Sequence, residues 1–193
     1  IRMRDLDVRS PVLIGHSWGG SVVLAYLLAY PDASAGGVLL AGVSHPWEGG
    51  VAWYNDFAGV PLLGEIFVQT VIYPFGQLVM ESAMENAFAP NPVPANYKQR
   101  IGTGLSLRPS AFSDNAEDIR LLSDFLVIQS QRYSEIQHPL LVLTGANDDI
   151  VPSWNHADRL EQQVDGIDRI DLEDTGHVPH HARPEQVAAA IHG

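Results

Sequence analysis

Short apolar runs alternate with longer helix-like stretches along this chain, a pattern typical of a parallel α/β sheet. The second run is apolar throughout, as expected for a strand that helices cover on both faces. The predicted strands cover residues 11–15, 36–42, 139–145 and 167–172. The predicted helices between them cover residues 18–30, 153–163 and 184–192, and residues 2–8 look like the tail of another helix. This order predicts an α/β fold with a mostly parallel sheet.

The gap between the second and third predicted strands is far longer than a crossover between parallel strands requires. It contains helix-like stretches separated by prolines, which predicts an inserted helical module. These stretches cover residues 62–72, 74–86, 94–101 and 113–132. We therefore expect three segments: a first core part at 1–46, a helical cap at 47–136 and a second core part at 137–193.

A G-x-S-x-G pattern stands where the first predicted strand meets the first predicted helix. In that setting Ser17 must adopt a strained, positive-φ conformation that lifts its hydroxyl off the sheet. Gly15 and Gly19 are expected because a Cβ there would clash with the neighbouring strand or helix. The helix that begins near Trp18 directs its N–H groups toward the place where an oxyanion would form. The pattern predicts Ser17 as a nucleophile and His16 as a buried turn residue instead of a second base.

A serine nucleophile needs a base, and that base needs a carboxylate to orient it. The third predicted strand runs into a loop with Asp148 and Asp149, and the fourth runs into a loop with His177. Because sites in open α/β sheets form at the carboxyl ends of the strands, we expect these loops to meet at Ser17. By position alone, either aspartate can supply the carboxylate.

Three motifs in this order resemble those of the α/β-hydrolase family. The segment G-H-S-W-G-G at 15–20 resembles its nucleophile elbow, and G-A-N-D-D-I-V-P at 145–152 resembles its acid loop. The pair G-H at 176–177, followed by R-P-E, resembles its histidine loop. The resemblance implies the α/β-hydrolase fold, a mostly parallel sheet flanked by helices with an inserted helical cap.

The same resemblance assigns roles to individual residues. It implies that Ser17 is the nucleophile, that Asp148 rather than Asp149 is the acid, and that His177 is the base. It also implies that the backbone N–H of Trp18 forms part of the oxyanion hole.

The start of the chain departs from that family. Ile1 lies shortly before the elbow strand, whereas family members carry several further strands there and a loop that supplies half of the oxyanion hole. We therefore expect a C-terminal portion of the fold, without its N-terminal strands. The loss of one oxyanion donor typically costs about 10²–10³ in turnover. An elbow strand without its neighbours is also an exposed sheet edge, so a homo-oligomer is expected.

Composition narrows the possible partners. A net charge of −12 argues against nucleic acid and anionic membrane surfaces. No apolar run approaches the roughly 18 residues of a membrane span, and the absence of cysteine excludes disulfides and thiolate metal sites. His177, His180 and His181 form an H-x-x-H-H cluster, but His177 belongs to the triad and the other two are expected to be exposed. We therefore expect no metal and no cofactor. A cytoplasmic location is also expected, although the absence of cysteine does not by itself fix the compartment.

The inserted segment is rich in aromatic and apolar residues and poor in cations, which favours a small, largely apolar substrate. The candidate substrate-binding residues are Trp47, Trp53, Val151 and Val178. The expected reaction is hydrolysis of a carboxylic ester or a related carbonyl compound through an acyl-enzyme on Ser17. Amide, carbon–carbon and perhydrolysis chemistry use the same triad, and an incomplete site would leave a binding module. The sequence leaves these alternatives open.

Overall fold

Four parallel strands form the sheet that carries the candidate site. They are β1 Val12–His16, β2 Gly36–Leu40, β3 Leu140–Gly145 and β4 Ile167–Leu172. In the computed structural model of the chain, which describes residues 7–47, 57, 60 and 63–193, they pair in the order β1-β2-β3-β4. Every pairing is parallel, so the predicted parallel sheet is confirmed.

Two strands end at different residues from those predicted. β1 runs as far as His16, so this residue ends a strand and is half-buried, instead of lying buried in the turn. β2 ends at Leu40 and not at residue 42, because Ala41 has a φ of 46° and leaves the extended conformation. Both changes lie at the carboxyl ends of the strands, where the candidate site forms.

Helices flank the sheet, and further helices lie in the described part of the segment between β2 and β3. They are α1 Trp18–Ala29, α2 Leu63–Phe67, α3 Tyr73–Phe88, α4 Tyr97–Ile101, α5 Pro109–Gln129, α6 Ala157–Glu161, α7 Pro179–Ala182 and α8 Pro184–His192. A π-helical turn occupies Val68–Ile72, and 3₁₀ turns occupy Thr103–Leu105 and Ser130–Glu135. Most of the helix predicted over 2–8 lies outside the described residues. None of the helices in the described ranges is long and apolar enough to cross a lipid bilayer.

The two faces of β2 contribute to two apolar clusters, because successive strand residues point to opposite sides. Leu39 belongs to a cluster with α1, and the intervening residues Val38 and Leu40 belong to a cluster with α8. The first cluster also contains Val23, Leu24, Leu27, Tyr133, Leu140, Val142 and Leu160, and the second contains Leu143, Leu172 and Val187. Burial of each such side chain contributes about 1.5–3 kcal/mol, so β2 is firmly held at the centre of this layer.

The chain divides into two compact units. The first contains the sheet together with residues 87–91 and 126–193, and the second contains residues 46–86 and 92–125. The residues after 126 belong with the sheet because Tyr133 and Ile136 lie in the α1 cluster. The predicted cap covered 47–136, and its function as a lid stays a prediction. Within the second unit, the buried side chains include Val68, Met84, Tyr97, Leu107 and Leu122.

Candidate active site

Ser17 occupies the turn between β1 and α1. Its φ of 52° confirms the predicted positive-φ conformation, which costs a non-glycine residue on the order of 1–3 kcal/mol. Backbone hydrogen bonds hold the turn: the Ser17 N–H donates to the Leu40 carbonyl at 3.0 Å. The Ser17 carbonyl accepts from the N–H groups of Gly20 and Val43, each at 2.9 Å. The strained serine is therefore fixed to β2 and to the loop that follows it.

Close backbone approaches explain two of the glycines around Ser17. A Cβ on Gly15 would collide with the carbonyl oxygen of Gly19, as predicted for that position. The prediction for Gly19 itself is wrong, because a Cβ there would meet open space. The second close approach is at Gly20, where a Cβ would lie 2.7 Å from the Cα of Gly42 in the loop after β2. The helix can therefore approach that loop only because Gly20 lacks a side chain.

The structure brings together Ser17, His177 and Asp148 in one hydrogen-bonded chain. The Ser17 Oγ lies 2.9 Å from the His177 Nε2, and the His177 Nδ1 lies 2.9 Å from the Asp148 Oδ2. An ionised carboxylate only accepts, so Nδ1 carries the proton and Nε2 accepts from the serine hydroxyl. The side chains of Asp148 and His177 are 0% and 9% exposed. This arrangement can remove a proton from Ser17 in a site with little water.

The acid loop holds Asp148 through its other oxygen. The Asp148 Oδ1 accepts hydrogen bonds from the backbone N–H groups of Ile150 and Val151, each at 2.9 Å. Hydrogen bonds to the charged form stabilise a buried carboxylate. The neighbouring Asp149 is exposed, and Asp148 is the aspartate that contacts His177.

The backbone of His177 is held on both sides. Its N–H donates to the carbonyl of Ala87 at 2.9 Å, and its carbonyl lies 2.8 Å from the Nε2 of His16. The His16 ring also packs against the rings of His177 and His180, with centroid distances of 4.9 and 4.6 Å. Burial lowers the pKa of His16 and lowers that of His180 to about 4. The contact between His16 and the His177 carbonyl was not predicted.

The histidines after His177 only partly follow the prediction. His181 is exposed as expected, whereas His180 is half-buried because its ring packs on His16. Among the residues that the structure describes, no group of three or more His, Asp or Glu side chains is arranged to hold a metal ion.

Comparison with known sequences and structures identifies the family. The sequence model of the alpha/beta hydrolase family matches residues 2–190. This chain belongs to the alpha/beta hydrolase family. No curated protein sequence matches this chain.

Solved structures of the same fold resemble this chain at low sequence identity. An esterase from Exiguobacterium antarcticum has a TM-score of 0.69 and 18% identity, over 98% of this chain and 68% of its own. The 2-hydroxy-6-oxo-6-phenylhexa-2,4-dienoate hydrolase from Rhodococcus sp. strain RHA1 has a TM-score of 0.69 and 17% identity, over 98% of this chain and 65% of its own. A variant of the haloalkane dehalogenase DatA from Agrobacterium tumefaciens C58 has a TM-score of 0.73 and 16% identity, over 98% of this chain and 68% of its own. This chain thus spans about two thirds of the length of these structures.

The first turn of α1 supplies a hydrogen-bond donor next to Ser17. Trp18 is the first residue of this helix, so its N–H has no acceptor within the helix. The positive end of the helix dipole lies at the same place and favours a negatively charged oxygen there. This N–H group can therefore donate to an oxygen that develops charge beside the serine.

The predicted substrate-binding residues lie in different parts of the chain. Val151 and Val178 are buried and adjoin the acid and histidine loops. The backbone N–H of Val151 donates a hydrogen bond to the Asp148 carboxylate. Trp47 is half-buried in the second unit, and Trp53 lies outside the described residues. Contact of these residues with a substrate stays a prediction.

A buried polar cluster next to the acid loop was also not predicted. The Nδ1 of His156 accepts from the backbone N–H groups of Ser44 and His45 at 3.2 and 3.3 Å. The Ser44 carbonyl in turn accepts from the hydroxyl of Tyr133 at 2.5 Å. Burial lowers the pKa of His45 and of His156 to about 4, so both are neutral at pH 7. The cluster joins the loop after β2, which holds Ser17, to the segment that follows Asp148.

Proposed function

We propose that this chain carries the catalytic machinery of a serine hydrolase that acts on a small, largely apolar carboxylic ester. The proposal rests on one observation: the Ser17 Oγ, His177 and Asp148 form a continuous chain with two contacts of 2.9 Å. The positive φ of Ser17 supports it, since strained conformations cluster at functional sites.

The geometry suits acyl transfer in two steps. The Nε2 of His177 takes the Ser17 proton while Oγ attacks the carbonyl carbon, and Asp148 stabilises the imidazolium that forms. The Trp18 N–H donates to the developing oxyanion. The imidazolium then returns its proton to the leaving alcohol, which leaves an ester on Ser17. His177 next takes a proton from a water molecule, whose oxygen attacks the carbonyl carbon of this ester. The bond between that carbon and the Ser17 Oγ then breaks, His177 gives the proton to Oγ, and the acid is released.

The apolar substrate class follows from charge and side-chain character. The net charge of −12 repels anionic substrates, and Val151 and Val178, beside the acid and histidine loops, are buried apolar side chains. The predicted cap at 47–136, with Trp47 as a candidate substrate-binding residue, is part of this proposal. Hydrolysis of a carbon–carbon bond in a diketone-type substrate is the second candidate reaction, because the same triad can attack a ketone carbonyl.

Hydrolysis of short 4-nitrophenyl esters tests this function. The wild-type chain is expected to turn over an acetyl or butyryl ester and to gain the mass of the acyl group when the reaction is quenched early. Ser17→Ala removes both signals, whereas the exposed serine control Ser134→Ala keeps them. Ester turnover that survives Ser17→Ala would refute the assignment. A folded wild-type protein that binds esters without acylation would instead be a binding module.

A further inference from the structure

His16 connects the nucleophile to the base. It is the last residue of β1 and directly precedes Ser17, and its Nε2 lies 2.8 Å from the carbonyl oxygen of His177. A carbonyl only accepts hydrogen bonds, so the Nε2 of His16 carries the proton and donates. One hydrogen bond therefore joins the strand that ends at Ser17 to the loop that holds the base.

This donor stands on a rigid part of the fold. His16 pairs with Leu40 of β2, and the Leu40 carbonyl also accepts from the Ser17 N–H at 3.0 Å. Any displacement of His16 would therefore displace Ser17 with it. The His177 backbone has a second hydrogen bond, from its N–H to Ala87. That second bond lies on the other side of the residue and makes no link to the nucleophile strand.

We propose that His16 is a positioning residue for the reaction: its Nε2–H sets the distance of His177 from Ser17 by holding the His177 carbonyl. This inference rests on the serine hydrolase function proposed above. His16 has no contact with the reacting oxygen in this arrangement, and it acts through His177. The ring contacts at 4.9 and 4.6 Å with His177 and His180 restrict the orientation of the donor.

The electrostatics of the pair support this function. His16 lies against His177 and His180, with His181 and Asp148 as the other titratable groups that act on it. Burial keeps its pKa below the ordinary value, so the ring remains neutral at pH 7. A neutral His16 donates its hydrogen bond without placing a positive charge beside His177, where it would disfavour formation of the imidazolium.

Three substitutions of His16 distinguish the effect of its hydrogen-bond donor from the effect of its ring volume. His16→Gln places an amide N–H at about the reach of Nε2, and His16→Asn carries the same amide one methylene shorter. His16→Leu fills a similar volume without a donor. Because displacements of about 1 Å at reacting groups can cost about 10²-fold in rate, we expect about a 10- to 100-fold loss in kcat for the Asn and Leu variants. KM should change little, and the Gln variant should stay close to wild type.

An NMR measurement keeps this test independent of turnover. The Nδ1–H proton of His177, bonded to Asp148, should give a sharp low-field signal in wild type and in His16→Gln. It should broaden or disappear in His16→Asn and His16→Leu, while circular dichroism shows a folded chain. An unchanged signal and unchanged kcat in the Asn and Leu variants would overturn the inference, as would loss of the signal in a folded Gln variant.

The same measurements distinguish this inference from the function itself. If the wild-type chain neither hydrolyses esters nor labels at Ser17, the proposed function fails. The His177 signal in the four proteins still decides whether His16 positions the histidine. If the chain is active and the Asn and Leu variants match wild type in both readouts, the inference alone fails.

Discussion

The buried histidines behind the acid loop make stability depend on pH in a defined window. His45 and His156 are almost fully buried, and the pKa of each is lowered from 6.5 to about 4. Burial is the largest cause for both. The geometry of His156 agrees, because its Nδ1 accepts two backbone N–H groups and cannot do so when protonated.

The sign follows from proton binding in the two states. Between pH 6.5 and 4 the unfolded chain binds protons at these histidines and the folded chain does not, so the free energy of unfolding falls as pH falls. It is unaffected by them above pH 6.5. One pKa unit corresponds to about 1.4 kcal/mol. Because pH 5 lies about 1.5 units below the ordinary histidine pKa of 6.5, each histidine lowers the free energy of unfolding at pH 5 by up to about 2 kcal/mol. Most carboxylates are still ionised at pH 5, which separates this loss from ordinary acid denaturation.

Urea unfolding followed by circular dichroism at pH 5, 6 and 7.5 measures this effect. His156→Asn keeps an acceptor near the Nδ1 position but cannot titrate, so its stability should fall by about 2 kcal/mol less than that of wild type between pH 7.5 and pH 5. His192→Gln is the matched control, because His192 is exposed in the last turn of α8. Equal losses in wild type and His156→Asn would refute the reasoning.

Three further expectations concern the site and the sheet edge. Asp148→Asn should lower kcat by about 10⁴-fold, the size typical of this change in a Ser-His-Asp triad, while Asp149→Asn leaves ester turnover near wild type. Gly20→Ala should lower the free energy of unfolding by about 1–3 kcal/mol in urea titrations, because its Cβ has no room, and an equal loss in Gly19→Ala would contradict this. Among the described residues β1 pairs with β2 alone, and its Ile14 is 53% exposed, so sedimentation of this 193-residue chain should show a dimer that Ile14→Lys reduces to a monomer.

The local sequence pattern was sufficient to predict the places of residues that depend only on their own strand and the loop after it. Ser17 lies at a strand-to-helix turn, and His177 lies in the loop after β4, because periodicity and turn residues encode those elements directly. Position alone left Asp148 and Asp149 open, and the resemblance of the acid loop to the family motif implied Asp148. The carboxylate of Asp148 is held by N–H groups two and three residues further on.

Features that depend on two distant segments could not be predicted in this way. His16 and the carbonyl that accepts its hydrogen bond are 161 residues apart, and the contact exists only because β1 and the histidine loop meet at the same end of the sheet. The same holds for His156 and the backbone of Ser44, which are 112 residues apart. The need for glycine at position 20 comes from Gly42 in the loop after β2. The G-x-S-x-G motif instead predicted this need at Gly19.

Reaction with a fluorophosphonate probe tests the central claim most directly, since such probes label serines that an adjacent base activates. The folded chain is treated with the probe, digested, and the labelled peptide is sequenced by mass spectrometry. Our account predicts label on Ser17 in wild type and in Ser134→Ala, and none in His177→Gln or after heat unfolding. Absence of label from a folded wild-type chain, or equal label in His177→Gln, would contradict it.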